Sequence, residues 1–121
     1  MKIYLAHSSG YDYKSELYEP IKTAFANEYE IFYPHDSHAD GVISKDFIPR
    51  FDAIIAEVSL PSTGQGIELG WASFHDKPII CFYKTGSNPS NALRFISQGI
   101  FEYATTGEMI KGLRSEIQRL A

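Results

Sequence analysis

The chain has 121 residues, 44% of them apolar, which suits one domain with a hydrophobic core of its own. A formal net charge of -4 at pH 7 argues against a nucleic acid polymer as partner, since such partners select basic surfaces, and favours a small-molecule ligand. With one cysteine, Cys81, and no segment long enough for a signal peptide or a membrane span, the sequence predicts a cytoplasmic protein without disulfides, cysteine-bound metal or membrane attachment.

Strands and helices are predicted to alternate along the chain, because short β-rich runs are separated by apolar residues at helical spacing. The predicted strands cover residues 2–6, 30–33, 52–58, 78–83 and 101–104. The predicted helices cover a segment that ends near residue 27, then residues 43–50, 65–75 and 92–97, and a C-terminal helix that begins at a capping box over residues 105–108. This order predicts a single α/β domain, a five-stranded parallel sheet with helices on both faces.

Ligands of such sheets bind at the carboxyl ends of the strands, where the predicted loops cover residues 6–11, 33–43, 59–66 and 84–91. The third loop is the most informative, because an apolar strand is followed by a Gly-rich turn and then by Glu68, which we expect in the first turn of a helix. Free N–H groups and the positive end of the helix dipole favour an anionic or polar ligand there. We interpret this loop as an active site in which Ser62, Gly64 and Gly66 contact the substrate.

Three segments carry a family resemblance: KIYLA at residues 2–6, DAIIAEVSLPSTGQGIELGWA at residues 52–72 and KPIICF at residues 77–82. Together they resemble the nucleoside 2-deoxyribosyltransferase superfamily, including its deoxynucleoside 5'-monophosphate N-hydrolase branch. The resemblance implies a flavodoxin-like (Rossmann-like) domain over residues 1–121 that needs no cofactor. It also implies that Glu68 attacks the anomeric carbon of the sugar and forms a glycosyl-enzyme ester, and that Tyr4 supports this carboxylate.

The resemblance implies further site residues. Asp46 matches an aspartate that protonates or orients the leaving base, and His35 matches a histidine beside the base. Ser8 matches a first-loop serine near the 5' end of the ligand, and Ser62 matches a phosphate-contacting serine of the hydrolase branch. Asn91 instead matches the asparagine that transferases donate to the site of a neighbouring subunit, which implies a homodimer or higher homo-oligomer. Transferase and hydrolase therefore both stay open.

The implied chemistry is cleavage of the N-glycosidic bond of a 2'-deoxynucleoside or its 5'-monophosphate. Positive charge develops on the sugar ring in such a reaction, so a carboxylate beneath the anomeric carbon stabilises it and then captures it. We expect the helix terminus and the Tyr4 hydroxyl to keep Glu68 ionised. Three alternatives remain open: a ribonucleoside monophosphate N-glycosidase, an NAD N-glycosidase, and a nucleotide-sensing module in which Glu68 contacts ribose hydroxyls.

Residues 35–40 include two histidines and two aspartates, which are residue types that bind metals. A turn after a strand is commonly rich in aspartate and serine. We therefore interpret this segment as a loop beside the base and predict no metal site.

Overall fold

The computed structural model describes residues 1–36 and 45–120. Its strands are β1 (Lys2–His7), β2 (Glu30–Phe32), β3 (Ala53–Glu57), β4 (Ile79–Lys84) and β5 (Gly99–Tyr103). Its α-helices are α1 (Glu19–Phe25), α2 (Thr63–Phe74) and α3 (Thr106–Leu120). A π-helical turn at Lys14–Tyr18 runs directly into α1, and 3-10 turns lie at Ile48–Arg50 and Asn91–Phe95.

All strand pairs are parallel, and the strand order is β2-β1-β3-β4-β5. This is the order of flavodoxin-like domains, so the predicted fold is confirmed. The direction of winding reverses between β1 and β3, where His7 lies opposite Glu57 at the carboxyl end of the pair. Ligands of such sheets bind outside this switch point.

Alternate side chains of each strand pack on opposite faces of the sheet, which gives two apolar layers. Leu5 and Ile55 belong to the layer that contains residues of α1 and α3, whereas Tyr4 and Ile54 belong to the layer that contains residues of α2. Because successive residues of β1 and β3 are buried on both faces, the two strands read as continuous apolar runs in the sequence. The carboxyl ends of β1 and β3, where ligands bind in such sheets, therefore extend from strands that are buried on both faces.

Two predicted helices are shorter in the structure. In the described part of the predicted helix over residues 43–50, residues 45–47 form a turn and only Ile48–Arg50 is helical, as one 3-10 turn. Pro49 explains this, because proline lacks an N–H and disfavours α conformation in the residue before it. The second of these, predicted over residues 92–97, is the 3-10 turn Asn91–Phe95.

Among the helices of residues 1–36 and 45–120, none is both long and apolar enough to cross a bilayer.

Candidate active site

The predicted nucleophile and its supporting tyrosine meet between β1 and α2. Tyr4 lies in the middle of β1, is fully buried, and donates a hydrogen bond from its hydroxyl to Oε2 of Glu68. The Glu68 side chain comes from α2 and is itself buried, with 9% of the residue exposed. The fold therefore brings together two residues that lie 64 positions apart in the chain.

An aromatic cluster fixes the Tyr4 ring. The ring stacks on Phe32 with 5.6 Å between centroids, and it meets the edges of Phe51 and Phe47 at 5.3 and 6.5 Å. Offset and edge contacts of this kind stabilise an aromatic pair beyond the area that it buries. The hydroxyl of Tyr4 is consequently held in one direction, toward Glu68.

The start of α2 differs from the prediction, and this changes the position of Glu68. The helix begins at Thr63 because Ser62 is its N-cap, with Oγ accepting a hydrogen bond from the Gln65 N–H at 3.4 Å. Glu68 is therefore the sixth residue of the helix and lies in its second turn, so its predicted place in the first turn is wrong. The dipole effect fades within the first turn, so it gives Glu68 little support.

Electrostatics around Glu68 also differ from the prediction. Burial raises the pKa of Glu68 above that of an ordinary glutamate, while the hydrogen bond from Tyr4 and the charge of His35 lower it in part. Burial and the charge of Glu68 raise the pKa of Tyr4 far above its ordinary value, so Tyr4 stays protonated and donates. We expected the helix terminus and the Tyr4 hydroxyl to keep Glu68 ionised; Tyr4 does favour the charged form, but burial outweighs it and raises the pKa of Glu68.

A chain of hydrogen bonds joins two loops beside this pair. Nδ1 of His7 lies 2.7 Å from the carbonyl oxygen of Ser8, and Nε2 lies 2.6 Å from the hydroxyl of Tyr18. The Tyr18 hydroxyl also accepts a hydrogen bond from the backbone N–H of His35 at 3.1 Å. Ser8 and His35, both predicted to contact the substrate, are thus connected through two residues that the sequence analysis missed.

Glu57 is a second buried carboxylate that the sequence analysis left out of the site. It accepts hydrogen bonds from the N–H and Oγ of Ser59, at 2.7 and 2.9 Å, and from the hydroxyl of Tyr103. Because Ala53 and Ile55 belong to the layer of α1 and α3, strand alternation places Glu57 on that face, opposite the α2 layer. Glu57 therefore ties the loop after β3 to β5. A single charged residue in an apolar strand was its only signal in the sequence.

The start of α2 borders an open cleft of about 470 Å³. Ser62 and Gly66 line it, together with Leu93 and Ile96 from the segment after β4. A Cβ atom added to Gly64 or Gly66 would meet nothing within 4 Å, so the space outside this turn is free within the chain. A larger groove of about 870 Å³ lies between α1 and α3, on the face of the sheet opposite α2. We place the site by its chemistry, at Tyr4 and Glu68, rather than by cavity size.

The remaining predicted residues differ in burial and in their contacts. Ser8 is buried directly after β1, and His35 is half-buried with its ring 5.2 Å from that of His7. Asp46 is exposed in a turn rather than on a helix, next to Phe47, which packs against Tyr4. Asn91 is exposed at the start of its 3-10 turn.

In residues 1–36 and 45–120, no three histidine, cysteine, aspartate or glutamate side chains are placed to hold a metal ion. Four residues of the segment considered for a metal, 37–40, lie outside the described residues.

Comparison with known proteins gives a sequence match over part of the chain and fold matches over most of it. No protein-family model matches the chain. The chain is 38% identical over 53 residues to a proposed 2'-deoxynucleoside 5'-phosphate N-hydrolase 1 from Nematostella vectensis, a segment that covers 44% of this chain and 32% of that protein. The match thus spans about a third of the length of this relative.

Two solved structures share the fold along almost the whole chain. The CMP N-glycosidase BcmB of Clostridium botulinum superposes with a TM-score of 0.69 at 24% identity and covers 94% of this chain and 99% of its own. The sequence resemblance is thus confirmed over the segment matched to the Nematostella relative, and the likeness to BcmB extends the shared fold to nearly the whole chain. A 2-deoxyribosyltransferase from Bacillus psychrosaccharolyticus, with a TM-score of 0.67 at 16% identity, covers 91% of this chain and 90% of its own. The names of these three proteins denote an N-hydrolase, an N-glycosidase and a deoxyribosyltransferase.

Proposed function

We propose that this protein cleaves the N-glycosidic bond of a nucleotide or nucleoside, with Glu68 as nucleophile and Tyr4 as its supporting group. The observation that carries the proposal is the buried hydrogen bond between the Tyr4 hydroxyl, from the middle of β1, and the Glu68 carboxyl group, from the second turn of α2. A buried carboxyl group with one donor is costly to keep unless the site uses its charge. The resemblance of the surrounding segments to the superfamily supports the same role.

The proposed reaction has two steps. First, a carboxylate oxygen of Glu68 bonds to C1' of the sugar while the bond from C1' to the base nitrogen breaks, and its electron pair leaves with the base. The base takes a proton from Asp46, the proposed acid. Second, a water oxygen bonds to C1' as the ester bond to Glu68 breaks, which releases the sugar, regenerates the carboxylate and returns a proton to Asp46.

The environment of Glu68 suits this chemistry. Water is largely excluded from the carboxyl group, so its attraction for the positive charge on the sugar is stronger than in solution. The same burial disfavours the free anion, so the enzyme gains most when the cationic transition state is present. Tyr4 cannot move aside easily, because three aromatic rings pack around it.

We favour a nucleoside 5'-monophosphate as substrate and hydrolysis as reaction. The names of the Nematostella relative and of BcmB support both points, since one denotes an N-hydrolase of a 5'-phosphate and the other an N-glycosidase of CMP. The two names differ in the sugar, so deoxyribose and ribose are both candidates. Base exchange is the second candidate reaction, and the exposed position of Asn91 and the fold shared with the 2-deoxyribosyltransferase support it.

We further propose that residues 1–121 form one deoxyribosyltransferase-like domain that assembles at least into a homodimer. Phe74 of α2 and Phe95 of the turn after β4 are 82% and 83% exposed, and Ile67 of α2 is 49% exposed. Large apolar side chains at such exposure are typical of contact surfaces. Asn91 begins the same turn as Phe95, so a partner on this surface would be close to Asn91.

A substrate panel tests the proposed function. The purified protein and its Glu68→Ala variant are incubated with deoxynucleosides, ribonucleosides, their 5'-monophosphates and NAD, with and without a second free base. Chromatography then measures released and exchanged bases. We expect Glu68-dependent base release from monophosphates. Exchange between free nucleosides would identify the transferase instead. Tight nucleotide binding without turnover, unchanged in Glu68→Ala, would contradict the proposal and support the sensing module.

A further inference from the structure

The hydroxyl of Tyr18 joins three elements beside Glu68. Tyr18 ends the π-helical turn before α1, and its neighbours are His7 at the end of β1 and His35 just after β2. Tyr18 is 2% exposed and His7 is 6% exposed, so the hydrogen bond between their side chains is shielded from water. π-Helical turns are rare and occur frequently at functional sites.

The direction of each hydrogen bond is fixed by chemistry. The carbonyl of Ser8 can only accept, so Nδ1 of His7 carries the proton that points to it. Burial lowers the pKa of His7 to about 4, and the charge of His35 contributes, whereas the bond to Ser8 opposes the change. His7 is therefore neutral near pH 7, and its Nε2 accepts a hydrogen bond from the Tyr18 hydroxyl. The Tyr18 oxygen is then free to accept the N–H of His35.

Further contacts join residues 33–36 to the helical segment 14–25, and they constrain His35 less specifically. Lys22 of α1 pairs with Asp36 at 2.5 Å, but both side chains are more than two-fifths exposed. Exposed ion pairs contribute little to the stability of the folded state. The Tyr18 and Tyr33 rings also pack with centroids 5.0 Å apart, a contact that does not specify a hydrogen-bond direction. The partly buried bond from the His35 N–H to Tyr18 does specify a direction, and it acts on the backbone of His35.

We propose that Tyr18 is a positioning residue of the active site, whose hydroxyl holds the backbone of His35, and with it the segment after β2, in place beside Glu68. The inference rests on the proposed function, because that function makes this place an active site. The placement of His35 by Tyr18 does not depend on that function. Among residues 1–36 and 45–120, the titratable groups that act on Glu68 are Tyr4 from β1 and His35 from the segment after β2. His35 itself faces His7 and Tyr13. Movement of His35 should therefore be visible in the titration of Glu68.

The test is a carboxyl NMR titration of Glu68, which needs no turnover. Tyr18→Phe removes the hydroxyl and keeps the ring. We expect its Glu68 pKa to rise above that of the wild type, because the charge of His35 is less well placed. His35→Ala should raise it as well. Adding Tyr18→Phe to His35→Ala should cause no further rise, because Tyr18 acts through His35. Tyr33→Phe is the matched control, and we expect the wild-type pKa.

Either of two results overturns the proposal: an unchanged Glu68 pKa in Tyr18→Phe, or an additional rise in the double variant. Protection of the His35 amide from hydrogen exchange is a second measurement, made on the wild-type protein, and exchange at the rate of an open amide would also overturn it. Where the substrate panel shows turnover, the acidic limb of kcat/KM should move to higher pH in Tyr18→Phe and stay in place in Tyr33→Phe. A shifted Glu68 titration without any turnover would contradict the proposed function and leave the placement by Tyr18 intact.

Discussion

At the scale of single residues, the fold buries the Glu68 carboxyl group and so disfavours its ionised form. Burial raises its pKa, and the opposing effects of Tyr4 and His35 do not cancel that rise. Because the folded protein holds the Glu68 proton more tightly than the unfolded chain does, this group makes stability fall as pH rises through the unfolded pKa toward the folded one. Above the folded pKa the loss is complete.

Glu68→Gln should therefore stabilise the protein, since glutamine cannot ionise. We expect a gain on the order of 1 kcal/mol near neutral pH, the size typical of single substitutions, and a smaller gain at pH 4. Thermal unfolding across this pH range measures it. Glu30→Gln, which changes an exposed carboxylate on β2, is the control and should show no such trend. A stability difference that is equal at every pH would contradict the effect of burial.

At the scale of elements, two glycines in the first turns of α2 make this helix less stable than alanines would. Gly64 and Gly66 are helical, have no backbone conformation that requires glycine, and have open space where a Cβ would lie. Glycine inside a helix costs about 1 kcal/mol relative to alanine. Packing within residues 1–36 and 45–120 does not explain this loss, whereas the proposed approach of a substrate to the helix backbone would explain it.

Gly66→Ala should consequently raise the free energy of unfolding by about 0.5–1 kcal/mol and lower kcat/KM. Denaturant unfolding and the base-release assay measure the two effects. Ser115→Ala, at an exposed position of α3, is a control that should gain stability without losing activity. Full kcat/KM in Gly66→Ala would show that the substrate does not approach this turn.

At the scale of the whole molecule, the proposed homodimer makes each site depend on two chains. If Asn91 completes the site of the neighbouring subunit, Glu68→Ala and Asn91→Ala should each be weakly active alone. Mixed dimers contain one site with both residues intact, so mixing the variants should restore about a quarter of the wild-type activity. Activity after mixing that equals the mean of the separate variants would contradict the shared site. Light scattering of each variant verifies that both assemble.

The sequence predicted the sheet and its core well, because buried strands such as Ile3–Ala6 leave a continuous apolar run that needs no knowledge of partners. It placed Tyr4 and Glu68 at one site through resemblance, but it misplaced the start of α2, since two glycines concealed the cap at Ser62. His7, Tyr18 and Glu57 were missed for a different reason. Their roles depend on hydrogen-bond partners 11 and 46 residues away, which local patterns do not reveal.

The most direct measurement is mass spectrometry of the Glu68 peptide after the protein turns over a 5'-monophosphate whose 2'-fluorine slows both steps. Base release is followed in the same sample and in Glu68→Ala. We expect the mass of the sugar phosphate on the peptide that contains Glu68, together with base release that disappears in Glu68→Ala. Base release that persists in Glu68→Ala, or an adduct on another residue, would contradict a covalent role for Glu68.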